Sequence, residues 1–140
     1  MTINRDILPI NVKIGDYNRY DISTKTITVN IKDIVPFTID HELGHGVMDF
    51  IVKDSEYINK VKEPHFSFAV KYAWLTYVAP EGVERADEGW AQSFCDYFHR
   101  GGYLKYKSPE LFRFWNTFMK KNPRVLNTRK YLYNKVMSKK

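Results

Sequence analysis

His41, Glu42 and His45 stand in the order H-E-L-G-H within PFTIDHELGHGVMDFIVKD, a stretch whose apolar residues Phe37, Leu43, Val47, Phe50 and Ile51 recur at helical spacing. On a helix, positions four apart lie about 40° apart around the axis, so both imidazoles project from one face, a turn apart. Nitrogens so placed can bind one ion. Zinc takes His nitrogen at about 2.0–2.1 Å, and its catalytic sites use three protein ligands and leave the fourth position to water. Glu42 flanks the pair and can accept a proton from that water as it attacks a polarised carbonyl, then return it to a leaving amine. With 4 His in the chain, the pattern has a chance expectation on the order of 10⁻².

A third ligand must come from elsewhere. The longer pattern that supplies a third histidine would need one at position 51, which is Ile. The single cysteine, Cys95, leaves no thiolate cluster and no internal disulfide, and fits a reducing compartment. Carboxylates remain. The stretch VERADEGWAQSFCDYF offers Glu84, Asp87 and Glu88, on a helix whose packed face is marked by Trp90, Ala91, Phe94 and Phe98. Glu88 lies three residues before Ala91 and Glu84 one turn earlier, so spacing alone leaves the two open.

The elements that must hold these residues follow from punctuation and periodicity. The length of 140 residues predicts one domain spanning 1–140. Residues 1–33 predict a small sheet, with strands in INVKI, YDIS and TITVNI and turns at Gly15-Asp16 and Ser23-Thr24-Lys25. Pro36 suits the first turn of an active-site helix over 36–54. Residues 55–83, broken by Pro64 and Pro80, fit helix or loop. A third-ligand helix over 84–100 is predicted to stop at Gly101-Gly102. Ser108 as N-cap and Pro109 at the first helical position open the C-terminal helices of 108–140, which Asn122-Pro123 divides.

With 44% hydrophobic, 16% aromatic and 27% charged residues, the chain has too much core-forming material to be a disordered chain. The N-terminus lacks the basic start and apolar run of a signal peptide, and no stretch approaches 18 apolar residues; a cytoplasmic protein without a membrane segment is expected. The net charge of +6 is uneven: residues 1–110 hold 13 Lys+Arg against 16 Asp+Glu, and residues 111–140 hold 9 against none. In RVLNTRKYLYNKVMSKK, Val125, Leu126, Leu132 and Val136 predict a docked face with the cations turned outward. A binding module that engages nucleic acid through this basic tail is the alternative from another class, but no zinc-finger or RNP motif supports base reading, and only weak, nonspecific contact is expected.

The blocks HELGHGVMDF, DEGWAQSFCDYF and SPELFRFWNTF resemble successive blocks of the anthrax lethal factor catalytic domain and the related Pro-Pro endopeptidases, over about residues 36 to 121. The resemblance implies a gluzincin: a compact zincin-like α+β fold with a small N-terminal sheet over the H-E-x-x-H helix and a helical C-terminal half. It further implies a monomeric Zn²⁺-dependent endopeptidase acting on a protein or peptide, with Glu42 as general base and His41, His45 and Glu88 as metal ligands. It matches Asp49 to a family position whose work is orientation of a ligand or packing, with plain solvation the alternative. The family's oxyanion tyrosine, seven residues before the ligand Glu, is Glu81 here; Tyr77 is the nearest substitute, and His65 a second. Zincins also bind substrate extended along a sheet edge, which implies the strand from Thr26 to Ile31. The segments FTIDHELGH and ERADEGWA resemble the ImmA/IrrE-type metallopeptidases as well, and that alignment makes Glu84 the ligand.

Overall fold

The computed structural model describes residues 6–52, 68–69, 71–72 and 83–138, with side chains at all of these except 51–52 and 83–87. Three short strands, β1 (Asn11–Ile14), β2 (Arg19–Asp21) and β3 (Thr26–Val29), form a sheet in the order β1-β3-β2. β1 runs parallel to β3 and β2 antiparallel to it. The β1–β2 link crosses the end of β3, where the Gly15 amide donates to the Val29 carbonyl (2.9 Å) and the Asn30 amide to Asn18 Oδ1 (2.8 Å). The β2–β3 turn is closed by Asp21, which accepts from the Ser23 amide and hydroxyl, and by Lys25 in the left-handed region at φ 54°.

β3 is therefore the central strand, so the stretch from Thr26 to Ile31 does not offer the free edge expected of it. Ile27, Thr28 and Val29 are buried in succession, the pattern of a strand covered on both faces, whereas β-branched composition marks a strand without saying where in the sheet it lies. Among the described residues the edges are β1 and β2, and β2 is the edge that packs on the first helix.

That helix, α1 (Pro36–Val52), begins at proline as predicted and buries Ile39, Leu43 and Val47 at four-residue spacing, with Met48 beside them. Phe37 and Phe50, expected on the buried face, are each 37% exposed. Phe37 is only two residues from Ile39 and falls on the other side of the axis. Phe50 sits in the last turn with the Arg124 guanidinium 5.6 Å from its ring centre.

Among the described residues, Phe68, Ala69, Lys71 and Tyr72 are helical, and four helices follow them: α2 (Val83–His99), α3 (Gly101–Lys107), α4 (Pro109–Lys121) and α5 (Pro123–Met137). The Gly101-Gly102 pair ends α2 but also opens α3, so the break is a corner of one residue, Arg100. Ser108 caps α4, its hydroxyl accepting from the Leu111 amide at 3.4 Å ahead of Pro109. Trp90 and Phe94 of α2 meet Phe114 and Trp115 of α4 in edge-on and tilted ring contacts at 5.0–6.0 Å, which hold large apolar area in favourable geometry. Trp115 also donates from its indole to Ser93 Oγ (2.8 Å).

α5 buries Val125, Thr128, Leu132 and Val136, while Leu126, expected in that face, is 44% exposed. Two of its cations correct the outward-facing tail: Arg124 donates to the Ile7 carbonyl (2.8 Å), and Arg129 pairs with buried Asp40. Lys130 and Lys135 are exposed as expected. The Leu8 amide donates to Thr128 Oγ1 (2.7 Å), so the beginning of the described chain is tied to its last helix. The architecture is α+β, a small sheet followed by helices. Among the described residues no helix is long and apolar enough to cross a membrane.

Candidate metal centre

The site lies on the seam between α1 and α2, which run in opposite directions. Glu88 meets His45 and His41, Ala91 meets Gly44, the Cys95 thiol donates to the Phe37 carbonyl (3.2 Å), and His99 reaches Asp40. These α2 residues are spaced three, four and four apart, one stripe of a helix face. Gly44, inside the H-E-x-x-H motif, makes the close approach possible: a β-carbon there would lie 2.8 Å from Ala91 Cα and 3.0 Å from its carbonyl oxygen. Gly89 does the same on the other side of α2, where a β-carbon would fall 1.8 Å from the Ala69 carbonyl oxygen. Chain backbone thus crowds α2 from two sides at the level of Glu88.

Three donors converge as a result. His41 Nε2 lies 3.0 Å from Glu88 Oε2 and His45 Nε2 3.2 Å from Glu88 Oε1, and one donor atom from each of the three residues falls within 4.8 Å of the others. The two imidazoles stand edge-on, with centroids 5.0 Å apart. All three side chains are partly exposed, at 16%, 21% and 23%, so the cluster opens to solvent on one side. Burial works to raise the Glu88 carboxyl, but hydrogen bonds and charge from His41 and His45 outweigh it and hold the group down to about 2.

Glu42 sits beside this cluster and is only 8% exposed. Burial pushes its carboxyl upward, against the pull of both imidazoles and of a hydrogen bond from the Tyr20 backbone amide of β2. Of the roles expected of Asp49, the structure shows packing: its side chain is 9% exposed. Its Oδ2 accepts from the Tyr20 hydroxyl (2.6 Å) and the Lys25 ammonium (2.7 Å), so it fastens the β2–β3 hairpin to α1 instead of orienting a ligand histidine. Tyr77, His65, Glu81 and the side chains of Glu84 and Asp87 lie outside the described residues.

Gly44 and Tyr20 went unread in the sequence although both shape the site. A glycine in mid-helix costs about 1 kcal/mol relative to alanine, and that cost was the available signal of a close backbone approach at Gly44. The Tyr20 amide had no signal, because any edge-strand residue presents one.

Comparison with protein-family models, with curated proteins and with solved structures gives no match for this chain. What the cluster could hold must be judged from its donors. Ligands of a tetrahedral ion bound at 2.0–2.1 Å lie about 3.3 Å from one another, close to the two nitrogen–oxygen separations here. Two imidazoles and a carboxylate suit a borderline divalent ion such as zinc better than magnesium or calcium, which prefer all-oxygen shells. The residues present fit such an ion.

Proposed function

We propose that this chain is a zincin-like peptidase in which His41, His45 and Glu88 hold Zn²⁺ and Glu42 is the general base for hydrolysis of a peptide bond. One observation carries the reading: three donors of the right chemistry meet at ligand spacing on a face open to solvent, with a buried carboxylate immediately beside them. The ion, when bound, supplies a water acidified to near neutrality and polarisation of the scissile carbonyl.

The chain's own groups divide the remaining work. Glu42, its carboxyl raised by burial, is suited to take a proton from water near neutral pH and to pass it to the departing amine. The Tyr20 amide steadies Glu42 from the edge strand, and Asp49 steadies Tyr20 in turn. An extended peptide, if it pairs with a sheet edge as in the zincins, would meet β2, the edge next to α1. Zinc bound at one per chain, with cleavage of a peptide library by the wild type and not by Glu42→Gln, is the expected result. Protein that binds no zinc, or Glu42→Gln that cleaves at the wild-type rate, would refute the reading.

A further inference from the structure

Asp40, one residue before His41, is fully buried, and the groups that neutralise it come from the far helices. Arg129 of α5 donates to both carboxylate oxygens, from Nε to Oδ1 (2.8 Å) and from Nη2 to Oδ2 (3.0 Å). The Tyr133 hydroxyl, also on α5, lies 2.6 Å from Oδ2, and His99 Nε2, at the end of α2, faces the same oxygen. The guanidinium is held between the rings of Phe98 (4.1 Å) and Tyr133 (4.7 Å). Three helices are thereby joined at one buried charge, and two of them carry the candidate metal ligands.

We propose that Arg129 is a positioning residue for the metal centre: by holding Asp40, it fixes the start of α1 against the end of α2 and so sets the reach of His41 toward Glu88. The inference rests on the metal reading above. Its mechanical basis is that the α1–α2 seam is pinned at the Gly44–Ala91 contact, beside the donors, and again at the Asp40–His99 junction. Without the charged junction, that side of α1 keeps the Cys95 thiol bond to the Phe37 carbonyl, a weak one, so α1 can pivot about Gly44, and His41, which neighbours Asp40 on that side, moves more than His45. Arginine suits the second pin because its planar fork constrains the carboxylate in direction as well as distance, which a lysine ammonium does not. The C-terminal helix is then part of the site rather than a basic appendage.

The test measures zinc affinity by competition with a chromophoric chelator, together with the visible spectrum of the Co²⁺-loaded protein, on the full chain. Arg129→Met and the isosteric pair Asp40→Asn with Arg129→Met are compared with Arg129→Lys. Leu104→Ala, which removes a buried side chain of α3 away from the seam, serves as the destabilised control. Arg129→Met is expected to weaken zinc binding by about 10-fold or more in folded protein and to change the Co²⁺ band, with Arg129→Lys between it and wild type. Leu104→Ala should lower Tm and leave affinity and spectrum unchanged. Wild-type affinity and spectrum in folded Arg129→Met, or in the isosteric pair if the single variant unfolds, would overturn the proposal, as would an Arg129→Lys protein that does not fold, since the residue would then serve the fold alone. Wild-type protein that takes up neither Zn²⁺ nor Co²⁺ would instead remove the metal reading, and this inference with it.

Discussion

Gly44 and Ala91 meet backbone against backbone at the crossing of α1 and α2, so that a β-carbon on Gly44 would lie 2.8 Å from Ala91 Cα. The contact atoms are main chain, which cannot swing aside. Gly44→Ala should gain about 1 kcal/mol of helix propensity and lose about 1–3 kcal/mol to overpacking. Its clearer effect is on metal: pushing α2 away separates Glu88 from both histidines, and zinc affinity is expected to fall at least 10-fold. Urea unfolding and zinc titration of the same variant measure the two effects; unchanged affinity would mean that α2 is placed by its other contacts.

Glu88 and Glu84 are separated by a paired substitution. Glu88→Gln should lose stoichiometric zinc, because the carboxylate that faces both imidazoles is replaced by a neutral amide. Glu84→Gln should retain it. The reverse outcome, read by metal analysis of dialysed protein, would move the third ligand to Glu84 and favour the ImmA/IrrE-type alignment.

The metal-free protein should show the Glu88–histidine contacts in its pH dependence. The folded Glu88 carboxyl is held at about 2, below its ordinary value of 4.5. A carboxyl depressed on folding stabilises the native state above its unfolded pKa, and that contribution is lost as pH falls through the folded value. The gap in unfolding free energy between metal-free wild type and Glu88→Gln should therefore shrink between about pH 4.5 and pH 2. Glu42, shifted upward by burial, acts with the opposite sign, so Glu42→Gln should not destabilise metal-free protein at pH 7. Urea titrations across that range would expose a constant gap, which would mean that the histidine contacts do not depress Glu88.

Asp49→Asn tests what the residue after the motif does. Losing a charged acceptor for the Tyr20 hydroxyl and Lys25 should cost about 1–3 kcal/mol of stability. Zinc affinity of the folded variant should stay at the wild-type value, since Asp49 engages the hairpin and not a ligand. A 10- to 100-fold loss of affinity, the usual consequence of removing a group that orients a metal ligand, would assign Asp49 that role instead.

Much of this was legible in the order of residues. The helix carrying His41 and His45, the strand-rich start, the Ser108-Pro109 cap and the Asn122-Pro123 break are local signals, because helix phase, capping and the fixed φ of proline are settled within a few residues. Periodicity placed Leu43 and Val47 inside but misplaced Phe37, Phe50 and Leu126, which sit at helix ends where burial depends on whatever neighbour arrives.

What the sequence by itself determined is which side chains could share a helix face: His41 with His45, and Glu88 on the stripe of Ala91, Cys95 and His99. Only the tertiary structure decided that the two faces oppose each other in antiparallel register, that β3 lies inside its sheet, and that Arg129, 89 residues from Asp40, neutralises it from within. Local geometry repeats every few residues and can be read from spacing. A pairing between distant segments is selected by the packing of the whole chain, in which a glycine that lets two backbones touch and a buried charge that requires a partner leave no periodic trace.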